Sequence, residues 1–348
     1  MSEKVRIAFV GVGNMGQAAH LRNYRTLPDC EVTAIAELRT ELAEKVARKW
    51  GIPRVYPNAE ALLEKEKPDG IVASQPFEKH GGIVAPLYRA GVPVLTEKPL
   101  ASAIEVGERM LAELRRGGSW HMVGYHKRSD PATMAAKEQI ERWKADGTVG
   151  KMRFVRLTMP EGDWIAGGFN ENVRSDEPYP SLPNDTEQPN HSKYVSFVNY
   201  FIHQVNLLRH LFGEPYRVTF ADRSGALLVA ESESGVTGVI EMTPYRTTID
   251  WQESALVTFE RGYVKVDLPA PLAHNRPGRL EIFSDPGNGV APQTVIPQLP
   301  WVHAMRQQAM NFVAAIRGER PPMCTAEEAL EDLKVSRDYL DLRYGGNE

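Results

Sequence analysis

One short stretch constrains this chain more than any other: an apolar run at residues 5–10 leads without interruption into Gly11-Val12-Gly13-Asn14-Met15-Gly16, after which the pattern turns helical. A GxGxxG string between a strand and a helix gives its glycines separate tasks. Gly11 permits the tight turn, Gly13 lets a pyrophosphate approach the backbone, and Gly16 lets the helix pack on the strand. The amides at that helix start, those of Asn14 and Met15 among them, then face the phosphates with the positive end of the helix dipole. Glu37 closes the second apolar run, about 20 residues past the loop, where a carboxylate accepts hydrogen bonds from an adenine ribose and so favours NAD. Arg39, two residues on, matches the geometry of a 2′-phosphate and keeps NADP open.

The surroundings agree with that reading. Apolar runs at 31–36, 70–74, 93–96 and 121–124 alternate with helical patterns at 40–50, 79–90 and 102–116. Repeated βαβ units of this kind predict an α/β, doubly wound parallel sheet over residues 1–125. Beyond Gly124 the texture changes to a helix at 131–143, a strand at 151–159, a long polar segment at 160–193 and a helix at 196–212 that stops at Gly213 and Pro215. Alternating segments follow at 217–222, 225–232, 236–243, 253–260, 263–268 and 279–283, which predicts an α+β domain over 126–348 with a large mixed, mostly antiparallel sheet. Helices at 301–317 and 326–344 close the chain, the second capped by Thr325 and Glu328 and expected to pack back on the first domain.

Bulk properties narrow the partners. A chain of 348 residues favours two cores over one. With 42% apolar residues, 25% charged residues and a formal charge of -4, there is no basic field for nucleic acid or anionic membrane. Cys30 and Cys324 stand far apart without ligand spacing, so neither a disulfide framework nor a metal site is expected. The first residues run into a strand pattern without an apolar leader, which sets a cytoplasmic expectation.

A segment after the fourth strand, with Ser74, Pro76 and His80, and the sequence Thr96-Glu97-Lys98-Pro99-Leu100 after the fifth complete a pattern. Together with the glycine loop, they resemble the Gfo/Idh/MocA oxidoreductases, with the strongest motifs in the first 130 residues. The resemblance implies a Rossmann domain with Ser74, Pro76, His80, Glu97, Lys98 and His126 at the cofactor. It implies a homo-oligomer, dimer or tetramer, and a sugar or polyol substrate. It assigns Lys98 to polarising the reacting hydroxyl, beside a cis bond at Pro99, and an ammonium there stabilises developing oxyanion character. In the linking segment, Lys127 and Arg128 are candidates either for substrate contact or for an ion pair. His203 resembles the family's proton acceptor, four residues after Asn199 and so on the same helix face. Asn199 and Asn206 stand where the family carries aspartates, which alters the support for that imidazole. Trp164, His191 and Tyr245 are weaker candidates for packing on a sugar ring.

Hydride transfer between nicotinamide and a carbinol carbon is therefore the leading expectation. Two alternatives stand beside it: a redox-neutral glycosidase that works by transient oxidation and elimination, and a dinucleotide-binding sensor without turnover.

Overall fold

The structure is a computed structural model that describes residues 3–182, 185 and 191–345. The chain divides into two compact units, Met1–Tyr125 with Gly167–Val195 and Met305–Leu333, and His126–Ala166 with Ser196–Ala304 and Lys334–Glu348. The sequence suggests a single cut after residue 125, but two later segments join the first unit. Among the described residues neither segment carries a strand of its own, and this is why strand periodicity did not reveal where they belong.

Among the described residues the strands form two sheets. In the first unit these are β1 (Val5–Val10), β2 (Cys30–Ala36), β3 (Arg54–Tyr56), β4 (Gly70–Ala73), β5 (Val94–Thr96) and β6 (His121–Val123). They lie parallel in the order β3-β2-β1-β4-β5-β6. The order reverses between β1 and β4, and the crevice outside the carboxyl ends at such a reversal is where doubly wound sheets bind ligands. β4, β5 and β6 are buried throughout and β1 nearly so, hence their uninterrupted apolar runs. β3 and the helix Ala59–Lys65 escaped the sequence reading because β3 is three residues long and mostly exposed, with no apolar run. Phe9, Tyr24 and Phe312 form an edge-to-face chain in this core, with centroids 5.5 and 6.4 Å apart.

The second unit contains β7 (Met152–Glu161), β8 (Tyr216–Ala221), β9 (Leu227–Ser232), β10 (Thr237–Arg246), β11 (Glu253–Phe259), β12 (Gly262–Leu268), β13 (Arg279–Ser284) and β14 (Gln293–Val295). Their order is β14-β13-β12-β11-β7-β10-β9-β8, antiparallel except for the β7–β10 pair. Strict alternation of buried and partly buried residues along β11 and β12 shows one face packed. Helices Pro131–Asp146 and Ile202–Phe212 lie on this sheet. Phe212 approaches so closely that a Cβ at Gly238 would stand 2.5 Å from its ring.

The helix predicted over 196–212 is instead two helices, His191–Tyr200 and Ile202–Phe212, separated at Phe201. The capping box forms: Glu328 accepts the Thr325 amide at 3.0 Å and Thr325 Oγ1 accepts the Glu328 amide at 3.3 Å. Residues 326–333 of the helix Ala326–Tyr344 fall in the first unit. Among the described residues no helix is long and apolar enough to cross a membrane, and no group of three His, Cys, Asp or Glu could hold a metal ion.

Candidate active site

At two of its three glycines, Gly11 and Gly16, the loop has no room for a side chain. At Gly11, φ is +88° and a Cβ would stand 2.3 Å from Gln75 Nε2 and 2.6 Å from the Ser74 carbonyl. At Gly16 it would meet the Gly11 carbonyl at 2.7 Å. Gly13 is different, because its nearest neighbour would be Arg39 Nη2 at 3.6 Å, leaving its backbone open to a phosphate. Glu37 is buried at the end of β2, where Oε2 accepts the Val12 amide at 3.0 Å and Oε1 accepts Arg39 Nε at 2.8 Å and the Arg39 amide at 3.2 Å. The carboxylate thus fixes the loop and the guanidinium together. The next turn, Gly16–Leu21, is π-helical, a form concentrated at functional sites. An open Gly13 above a helix start, with an acidic group at the end of β2, fits a dinucleotide.

The residues expected after β4 and β5 separate into two kinds. Lys98 stands two residues past the carboxyl end of β5, partly buried, and its bond to Pro99 is cis. Ser74 and Pro76 lie in the turn after β4, the Ser74 amide donating to the Val10 carbonyl at 2.9 Å. His80, expected at the cofactor, is fully buried, with Nδ1 3.0 Å from the Leu100 carbonyl and Nε2 3.1 Å from the Gln75 carbonyl. Burial pulls its pKa down, while the two carbonyls, each an acceptor for a ring N–H, pull it up. Glu97 also turns inward, with Oε1 2.6 Å from Nε2 of buried His20. Sequence reading missed His121, which bridges the Tyr88 hydroxyl at 2.7 Å and Thr96 Oγ1 at 2.8 Å. Burial depresses this imidazole to about 3.

In the second unit, His126 opens the buried turn His126–Ser129 and its ring meets that of His203 edge to face, centroids 4.8 Å apart. Lys127 is buried against the Glu253 carboxylate, the ion pair that was one of its two sequence alternatives. That carboxylate also accepts Gln204 Nε2 at 2.7 Å and Trp251 Nε1 at 3.1 Å. Desolvation pulls the Lys127 pKa down and Glu253 pulls it back up. Arg128 is likewise buried, its Nε donating to Asn206 Oδ1 at 2.7 Å. The amide at 206 therefore serves as a guanidinium acceptor.

Phe201 (φ -98°, ψ -7°) separates the two helices that carry Asn199 and His203, and Asn199 is exposed while His203 is partly buried. Trp164 is partly buried and its carbonyl accepts the Leu272 amide at 3.2 Å. Tyr245 is exposed and donates to Gln252 Oε1 at 2.9 Å. The His191 side chain lies outside the described residues. A small cleft lined by His126, Lys127, Asp130, Glu253, Pro271 and His303 opens beside this cluster. Burial raises Asp130 to about 6 against the amides of Ala132 and Gly278 that hold its charged form.

Residues 5–125 match the Gfo/Idh/MocA family, described as an oxidoreductase family with an NAD-binding Rossmann fold. The chain is 26% identical over 244 residues to a myo-inositol 2-dehydrogenase of Thermotoga maritima, covering 68% of this chain and 63% of that protein. It is 25% identical to the scyllo-inositol 2-dehydrogenase (NAD(+)) of Bacillus subtilis, covering 96% of this chain and 93% of the relative. An NAD-binding oxidoreductase from Klebsiella pneumoniae superimposes with a TM-score of 0.75 at 18% identity, covering 99% and 98% of the two chains, a likeness of fold. The glycine loop, the parallel sheet and the Glu-Lys-Pro turn all lie within residues 5–125, the stretch over which the chain matches the Gfo/Idh/MocA family of oxidoreductases.

Proposed function

We propose that this protein is an NAD-preferring dehydrogenase that oxidises a CH–OH carbon of a sugar, polyol or sugar derivative, releasing a carbonyl product and a proton. The observation that carries the reading is the Glu37 carboxylate bound to the Val12 amide of an open glycine loop at 3.0 Å. Nicotinamide, when bound, accepts the hydride. Lys98 holds the substrate oxygen and stabilises its negative charge as the carbon–hydrogen bond breaks. His203 takes the hydroxyl proton, a role for which imidazole is suited near neutral pH. The relatives named above support an inositol-like polyol as the first substrate to test. They are dehydrogenases, so the glycosidase and sensor alternatives are not carried further. A homo-oligomer working in the cytoplasm completes the proposal.

The deciding experiment incubates the protein with NAD or NADP and inositols, aldoses, linear polyols and glycosides, following reduced nicotinamide and analysing products. Reduction coupled to a keto product is expected. Glycoside cleavage without net reduction, or cofactor binding with no turnover of any polyol, would overturn it.

A further inference from the structure

The polar residues 167–182, with Asp185, are held to the rest of the first unit at three places around the carboxyl edge of the sheet. By the glycine loop, Asn172 Nδ2 donates to the Asn14 carbonyl at 3.1 Å, and the Val173 amide donates to Gln17 Oε1 at 2.8 Å. Gln17 Nε2 returns bonds to the carbonyls of Val173 at 3.1 Å and Val12 at 2.9 Å. On the β2 side, Glu177 accepts the Leu42 amide at 2.9 Å, and the Tyr179 ring lies over the Arg39 guanidinium at 5.2 Å. On the β4 side, the Leu182 carbonyl accepts Lys79 Nζ, and the Asp185 carboxylate takes the amides of Gly81 at 2.7 Å and Gly82 at 3.1 Å. Because β1 lies between β2 and β4, these anchors stand on both sides of the crevice that the glycine loop opens.

Two features point to a ligand beneath this strap. Tyr179 is 45% exposed although it is stacked on a guanidinium, so a flat aromatic and cationic surface is presented next to Gly13 and Glu37. Apart from the Tyr179–Arg39 contact, the anchors named are polar contacts with a backbone group on one side, and among the described residues the strap adds only Val173 to the apolar core. Contacts of that kind open without exposing a hydrophobic interior.

We infer that the strap is the outer wall of the dinucleotide site, with Tyr179 and Arg39 forming the surface on which the purine ring stacks, and that strap opening limits cofactor exchange. This rests on the proposed dinucleotide reading. Stacking of a base on an aromatic ring is sequence-independent and strong enough for a single substitution to register.

The test measures binding and release of NADH by stopped-flow fluorescence, with ADP-ribose and reduced nicotinamide mononucleotide as half-molecule probes. Tyr179→Ala should speed NADH release by roughly 5- to 150-fold and weaken ADP-ribose to a similar degree. The mononucleotide, which lacks the purine, should bind unchanged. Asp185→Ala should raise the association and dissociation rates together, leaving Kd within about threefold, as loss of a gate anchor does. Thermal unfolding of both variants checks that neither merely destabilises the fold. Unchanged release from Tyr179→Ala, an equal loss for both half-molecules, or tighter binding once the strap is loosened would overturn the inference. Failure of the wild-type protein to bind NADH or NADPH would instead overturn the dinucleotide reading itself.

Discussion

His126 and His203 meet edge to face at 4.8 Å, bringing the turn that begins the second unit against the first turn of the helix Ile202–Phe212. His203→Ala should lower turnover by about 10² to 10⁴-fold, the usual share of general acid–base catalysis, and remove the acid limb of the pH–rate profile. His126→Ala, which removes a neighbour and leaves the acceptor, should cost less and keep the limb. Steady-state kinetics from pH 5 to 9 decides; an unchanged limb in His203→Ala removes it from proton transfer.

Glu37 restrains Arg39 as well as the glycine loop. Glu37→Ala removes a ribose acceptor and frees a guanidinium that matches a 2′-phosphate. The ratio of NADP to NAD affinity should rise by at least about tenfold, the size of one charge-assisted contact. Titration calorimetry with both cofactors reads it, and an unaltered ratio refutes the assignment.

Lys98→Met should keep cofactor affinity and thermal stability while removing most of the turnover, because the ammonium acts on the substrate oxygen. Single-turnover rates near wild type would show that the lysine has another task.

The buried Lys127–Glu253 pair makes a different prediction. Glu253→Ala strands an ammonium together with the donors of Gln204 and Trp251, and breaking a buried pair costs on the order of 3–5 kcal/mol. The double variant Lys127→Met/Glu253→Leu should recover part of that loss, since no charge is left buried. Urea unfolding of the three proteins measures it. A double variant less stable than Glu253→Ala would contradict the account.

His121 should make the protein acid-sensitive. Its folded pKa lies near 3 against an ordinary 6.5, so only the unfolded chain binds this proton as the pH falls between those values. Stability is therefore present above 6.5 and lost toward 3, by about 2 kcal/mol between pH 7 and pH 5. His121→Gln keeps side-chain groups for Tyr88 and Thr96 but does not titrate, and its urea midpoint should fall less over that range. Parallel pH dependences in the two proteins would exclude His121 as the source.

The parts legible in the sequence were those where burial imposes a period. β1, the helix Thr40–Trp50 and the alternating strands β11 and β12 follow directly from which faces are covered. β3 was illegible because three mostly exposed residues carry no period, and the break at Phe201 because apolar residues continue through it. In the site, glycines and Glu37 could be read because backbone geometry dictates them. The inward turn of His80 and Glu97 could not, since a polar side chain near a crevice reads the same whichever way it points. Lys127 finds Glu253 across 126 residues of sequence, and Tyr179 finds Arg39 from a segment whose only signal is polarity.

The core of the first unit is finished by residues near the other end of the chain. Ala309, Phe312 and Val313 sit among Val5, Phe9 and Tyr24, and Ile316 fills the space over Gly70 so tightly that a Cβ there would stand 2.5 Å away. On the ribosome, the glycine loop emerges long before its hydrophobic support, which is synthesised after nearly all of the second unit. The nascent dinucleotide domain must therefore wait, with apolar surface uncovered, while the second unit is made. A fragment ending at residue 125 should be a client of chaperones and not a free-standing nucleotide binder.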